Sequence, residues 1–192
     1  MSLLRAFIAI EIPNEIKVEI ASQTAGLRRA IVHSVRWVAP ENIHLTLKFL
    51  GEISSTNIDF LAQALKTESG QHAPFEITVG SLGAFPNLRR PRVIWIGLDT
   101  PPDLGKLRYN IEAAAARLGY PADDKPFSAH LTIGRVREQI STTEAQSLRN
   151  ALENTKIGLL GTFAAKFIHL FRSDLQPGKP VYTCLFTTAL GG

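Results

Sequence analysis

The sequence predicts an α+β fold: two similar lobes of antiparallel sheet flanked by helices, related by a pseudo-twofold axis around a central cleft. Three observations carry this. Strand-like and helix-like runs alternate along the 192 residues, yet several strand-like runs adjoin with no helix between them, which suits paired antiparallel strands better than a doubly wound parallel sheet. The two halves of the chain follow a similar outline. One tetrapeptide pattern, His-apolar-Thr-apolar, occurs once in each half, as His44-Leu45-Thr46-Leu47 and His130-Leu131-Thr132-Ile133.

The elements follow in order. Residues 6–12 read as a strand, and Pro13-Asn14 open a helix with Ile16, Val18, Ile20, Ala21 and Leu27 as its apolar stripe. Residues 36–38 are extended ahead of Pro40. Residues 43–50 form the first motif strand, ended by Gly51, and Ser54 or Ser55 caps a helix carrying Ile58, Leu61, Ala62 and Leu65. A strand over 75–79 continues over 82–85 past a bend at Gly80, and residues 92–98 form the next strand. Pro101-Pro102 open a helix with Leu104, Leu107, Ile111, Ala114, Ala115 and Leu118 inward, and Gly119 ends it. Residues 128–136 form the second motif strand, and Ser141 or Thr142 starts a helix with Ala145, Leu148 and Leu152. Two final strands, 163–171 and 181–190, flank a polar turn containing Gln176-Pro177-Gly178-Lys179. No linker or low-complexity segment interrupts the chain, so residues 1–192 read as a single two-lobed domain.

Strand side chains alternate with a period of two. In each motif the His and Thr therefore share one face and the aliphatic residues the other. Two imidazoles converging on one pocket can divide general acid and general base work.

Composition permits this chemistry. Apolar residues make up 45% and charged residues 20%, ordinary for a soluble globular protein, and the net charge of +4 favours a polyanionic partner without establishing one. Cys184 is the only cysteine, so no intramolecular disulfide and no cysteine zinc cluster is expected, and its strand-like setting predicts a buried small apolar residue. The opening apolar run is too short for a signal or a membrane span, which predicts a soluble cytoplasmic protein with no membrane partner.

His44-Leu45-Thr46-Leu47-Lys48-Phe49 and His130-Leu131-Thr132-Ile133-Gly134-Arg135 resemble the paired signatures of the two-histidine phosphoesterase superfamily. The resemblance is closest to the RNA 2′,3′-cyclic phosphodiesterases, also described as RNA 2′-5′ ligases, and covers nearly the whole chain. Residues 5–11, the lead-in Trp37-Val38-Ala39-Pro40-Glu41-Asn42-Ile43, the segment Gly83-Ala84-Phe85-Pro86 with Pro91-Arg92-Val93-Ile94-Trp95, and Pro126-Phe127 all share it. Ala129 departs from it, standing where a proline is expected. The resemblance implies a substrate ending in a ribose 2′,3′-cyclic phosphate, no metal and no cofactor. It assigns His44 as proton donor to the 3′ oxygen and His130 as the base that activates water. The residues alone do not say which histidine does which. Run backwards, the pair would join a cyclic phosphate to a 5′-hydroxyl without ATP. A two-lobed cleft needs no second subunit, which predicts a monomer.

Thr46 and Thr132 can donate hydrogen bonds to phosphoryl oxygens. Strict alternation puts Arg135 on the face opposite His130, so it reaches the phosphate only if the strand bends or ends near Gly134. Parity puts Lys48 on the His44 face and Phe49 in the core. Phe7, Phe85, Trp37 and Trp95 read as core, with one aromatic at the cleft able to stack on a base. His33 and His72 read as loop residues, and His169 as a strand residue. Arg89, Arg90 and Arg92, with Arg137, either follow an RNA backbone or form a solvated loop. Two other functions remain. One is a non-catalytic binder of RNA ends in the same cleft. The other is a two-histidine metal hydrolase, which needs a carboxylate such as Glu41, Asp123 or Asp124 near the pair.

Overall fold

The computed structural model describes residues 3–176 and 179–191. Strand β1 (Leu3–Glu11) leads into α1 (Asn14–Gln23) and α2 (Ala25–Ala30). The predicted single helix is split at Thr24, whose hydroxyl and backbone N–H both donate to the Ile20 carbonyl, at 2.7 and 3.0 Å. Such a side chain competes for the helix's own acceptors. Ile16, Ile20 and Leu27 are buried as expected, but Val18 is 59% exposed and lies off the stripe. Next come β2 (Val35–Trp37), a 3-10 turn at Pro40–Asn42, and β3 (His44–Ser54), which carries the first motif. Ser54 caps a second 3-10 turn, accepting from the Thr56 N–H, and α3 (Ile58–Ser69) follows. Strands β4 (Phe75–Phe85) and β5 (Val93–Asp99) form a hairpin, then come α4 (Pro102–Arg117) and β6 (His130–Val136) with the second motif. A capping box between Ser141 and Glu144 starts α5 (Thr142–Asn154). Strands β7 (Leu159–Ala165), β8 (Phe167–Gln176) and β9 (Lys179–Ala189) complete the fold.

Among the described residues the strands form one antiparallel sheet in the order β7-β4-β5-β6-β3-β1-β8-β9, with β2 paired to β6. The five helices cover one face. Their buried residues and those of the strands, including Ile8, Ile10, Leu45, Leu47, Ile77, Ile94, Leu131, Ile133 and Leu170, make one continuous core. Among the described residues the other face carries no helix, and Phe7, Ala9 and Phe171 form a small buried cluster on it with Tyr182 against them.

The two lobes meet at β3 and β6, joined by a single ladder pair, Leu45 with Leu131. They are not the two halves of the chain. Strand β4 follows the first motif yet pairs with β5, and β8 follows the second motif yet pairs with β1. Each half thus sends its later strands into the other lobe, which interlocks them. The expected strand over 163–171 is accordingly two strands, broken at Lys166, where the chain passes from β7 at the edge of one lobe to β8 in the other. The polar turn between β8 and β9 includes Pro177 and Gly178, which lie outside the described residues. Gly51 does not end β3: it sits at φ 71° in an irregularity of the β1–β3 ladder, and the strand runs on to Ser54. Cys184 is exposed rather than buried, because β9 is the outermost strand and the thiol lies on the helix-free face. No helix of the described residues is long and apolar enough to cross a membrane.

Lys48 is fully buried on the helix side, where its ammonium donates to Glu112 Oε2 and the Pro121 carbonyl, both at 2.8 Å. Arg108 holds the same Glu112 at 2.8 Å and Asp123 at 3.2 Å. This cluster ties β3 to α4 and to the loop that approaches β6, so the segment before the second motif is anchored on the first motif's strand. A buried charge that loses its partner is costly, whereas replacing both partners by apolar groups is often neutral. Glu112→Ala is expected to destabilise the protein by about 3–5 kcal/mol in urea unfolding, and Lys48→Met combined with Glu112→Leu to recover most of that loss.

Candidate active site

The fourth residue of each motif is a β-bulge. In β3 the ladder to β1 pairs Thr46 with Ala9 and Lys48 with Ile8, leaving Leu47 extra. In β6 the ladder to β5 pairs Thr132 with Trp95 and Gly134 with Ile94, leaving Ile133 extra. A bulge puts two consecutive residues on one side and reverses the alternation beyond it. Leu47 and Lys48 are both buried, as are Ile133 and Gly134, while Phe49 and Arg135 emerge on the His-Thr face.

This corrects two expectations and explains a third. Lys48 does not share the His44 face, and Phe49 is not core but 62% exposed. Arg135 does reach the His130 face, and it faces Val93, two residues from Trp95, in the β5 ladder. The bend falls at Ile133, one residue before the expected glycine. Gly134 is needed for close packing beneath it, since a Cβ there would lie 2.7 Å from Val35 Cγ1.

The Leu45–Leu131 pair fixes the relation of the motifs. In antiparallel register its neighbours set His44 opposite Thr132 and Thr46 opposite His130. The two leucines point into the core, at 1% and 0% exposure, so all four polar residues lie half-buried on the helix-free face, two from each lobe.

Both imidazoles are held in the same way. His44 Nδ1 lies 2.8 Å from the Asn42 carbonyl and His130 Nδ1 lies 2.7 Å from the Ser128 carbonyl, each two residues back. A carbonyl only accepts, so Nδ1 carries the hydrogen and Nε2 is left to gain or lose a proton. Aromatic rings differ around the two. Phe7 stacks on His44 at 4.8 Å and Tyr182 stands edge-on to it at 5.4 Å. Phe85 meets His130 edge-on at 4.9 Å, with Trp95 at 6.5 Å. Trp95 lies there because its ring covers Gly83, where any Cβ would collide with it. Trp37 differs from these four rings: it packs against the core with Arg28 over its ring at 4.9 Å.

The β8–β9 hairpin also reaches this site, since Asn42 Nδ2 donates to the Pro180 carbonyl at 3.0 Å. Burial raises the Tyr182 phenol's pKa, and the positive charge of Arg135 opposes that rise. Strand periodicity could not bring Tyr182 to His44, because only the hairpin's tertiary position does so. His169 lies on the same face, with Nδ1 3.0 Å from Thr187 Oγ1 and Nε2 3.8 Å from Glu11 Oε2. His33 lies exposed in a turn, and His72 lies beside Asn110, their side-chain nitrogens 3.1 Å apart. Asp123, considered as a metal ligand, is engaged with Arg108 in the ionic cluster.

Burial, reinforced by the positive charge of Lys17 and opposed by the bond to Asn42, lowers the His44 pKa to about 4. The unfolded chain keeps the ordinary value of 6.5 and binds more protons between those limits. Stability from this group is therefore fully present above pH 6.5 and lost as pH falls through 4. His44→Gln is expected to lose less stability than the unaltered protein between pH 7 and pH 4.5, read as the shift in urea midpoint.

The chain matches the family described as LigT like Phosphoesterase twice, over residues 10–95 and 96–182, one match for each motif. It is 33% identical over 180 residues to an RNA 2′,3′-cyclic phosphodiesterase of Methanocaldococcus jannaschii, covering 93% of this chain and 96% of that one. It is 30% identical to the protein of the same description from Aquifex aeolicus, covering all of both chains. Among solved structures, a Thermus thermophilus protein superimposes with a TM-score of 0.80 at 27% identity, covering 98% of this chain and 99% of that one. E. coli LigT complexed with 3′-AMP superimposes with a TM-score of 0.72 at 29% identity over the whole of both chains. The doubled motif, the fold that joins its two copies and these likenesses place the chain in the LigT-like phosphoesterase family.

Proposed function

We propose that the protein is a single-domain, metal-independent phosphodiesterase that opens RNA 2′,3′-cyclic phosphate ends to 2′-phosphomonoesters. The observation that carries this is the pair of imidazoles at the lobe boundary, each with Nδ1 tied to a backbone carbonyl and each beside a motif threonine. The names of the relatives support the substrate class. The strained ring supplies driving force, so three tasks remain: deprotonate water, protonate the leaving oxygen and stabilise charge on phosphorus-bound oxygens.

His130 Nε2 takes a proton from water as its oxygen attacks phosphorus. The P–O3′ bond breaks and His44 Nε2 gives its proton to O3′. His44 ends neutral and His130 charged. Thr46 and Thr132 donate hydrogen bonds to the phosphoryl oxygens, and Arg135 offers a planar guanidinium to the same charge. With a pKa of about 4, His44 is neutral at pH 7 in the free protein. The arriving phosphodiester anion favours its charged form and so prepares it as the acid. In reverse, the same groups would join the cyclic phosphate to a 5′-hydroxyl as a 2′-5′ linkage.

Acid–base catalysis by one group contributes about 10²- to 10⁴-fold. His44→Ala and His130→Ala are each expected to lower kcat on a 2′,3′-cyclic phosphate by at least about 100-fold with the fold retained by circular dichroism. Full activity is expected in EDTA. Wild-type rates in both variants would refute the pair, and tight binding of the cyclic ester without turnover in the unaltered protein would favour a binder of RNA ends. The His44 pKa, followed by NMR, is expected to rise when a 2′-phosphomonoester is added.

A further inference from the structure

Arg36 and Arg135 are direct cross-strand partners in the β2–β6 ladder. Arg135 lies on the His130 face, and residues opposite each other in a ladder point to the same face, so Arg36 lies there too. Its neighbours Val35 and Trp37 pack the other way, against Gly134. Both arginines are exposed, and neither has an ion pair or hydrogen-bond partner for its side chain among the described residues. Like charges set directly opposite in a sheet are destabilising. Two guanidinium groups held on one face this way, with no carboxylate pairing them among the described residues, suit an anionic ligand.

One phosphate does not need both. In the reading above Arg135 serves the cyclic phosphate. Arg36 stands one strand further out, at a strand spacing of about 4.8 Å. Charges on a nucleic-acid strand recur on that scale. A cyclic mononucleotide has no second phosphate to offer, whereas an oligonucleotide always does. We propose that Arg36 binds the phosphodiester adjacent to the cyclic phosphate, so that the protein prefers RNA oligonucleotide ends to cyclic mononucleotides. This rests on the function proposed above and names its substrate more narrowly.

The test compares steady-state hydrolysis of cytidine 2′,3′-cyclic phosphate with that of a trinucleotide ending in the same group. The unaltered protein, Arg36→Gln and Arg36→Lys are assayed at two salt concentrations. Arg36→Gln is expected to lower kcat/KM on the trinucleotide by about tenfold, through KM, and to flatten its salt dependence by about one phosphate contact. On the mononucleotide it is expected to change kcat/KM by less than about twofold, which also shows that the fold is intact. Arg36→Lys keeps the charge and retains most of the trinucleotide preference. Equal loss on both substrates, or no loss on the trinucleotide, would overturn the assignment of Arg36 alone. An unaltered protein that opens neither substrate would overturn the phosphodiesterase reading, and this inference with it.

Discussion

A single backbone-paired contact, Leu45 against Leu131, joins the two lobes at the centre of the sheet. Both side chains are withdrawn from water into the common core. Burying a leucine contributes about 1.5–3 kcal/mol, so this seam is held from beneath by apolar packing although its ladder is only one pair long. The residues on either side of each leucine have no choice of face. They are His44, Thr46, His130 and Thr132, and the same apolar contact that closes the core therefore gathers them on the open side. The interlocked strands and the ionic cluster around Lys48 and Glu112 hold the flanks of this seam, and the carbonyls of Asn42 and Ser128 set the rings above it.

Much of this was legible in the sequence. Period-two alternation placed each His beside its Thr, the turn residues marked most strands, and Ser141 announced its helix. The failures have a common physical origin. Alternation is a local rule, and a bulge breaks it without a distinctive residue: Leu47 and Ile133 look like ordinary strand positions. Parity therefore misplaced Lys48 and Phe49, and it left Arg135 dependent on a bend whose position it could not give. Topology was the second gap. Nothing local in residues 163–171 reveals that Lys166 lies between strands in different lobes, or that β9 ends as an exposed edge with Cys184 on its open face.

The symmetry of the scaffold also exposes how the lobes differ. Position by position after the bulge, Lys48 answers to Gly134 and Phe49 to Arg135. The first lobe has a buried cation beneath its strand and an aromatic ring on its surface. The second has close backbone packing beneath and a guanidinium above. His44 is wedged between Phe7 and Tyr182, whereas His130 meets Phe85 edge-on and Trp95 more distantly. Two copies of one motif are thus given unlike surroundings. Burial in its wedge is what holds the His44 pKa at about 4, below the ordinary imidazole value.

A crystal structure of the His130→Asn protein with a 2′,3′-cyclic phosphate bound tests whether both lobes meet one phosphorus atom. The phosphorus is expected at the lobe boundary, with His44 Nε2 within hydrogen-bond reach of an ester oxygen and the substituted side chain of β6 on the opposite side of phosphorus. A phosphate bound elsewhere on the sheet, or touched from one lobe only, would contradict it.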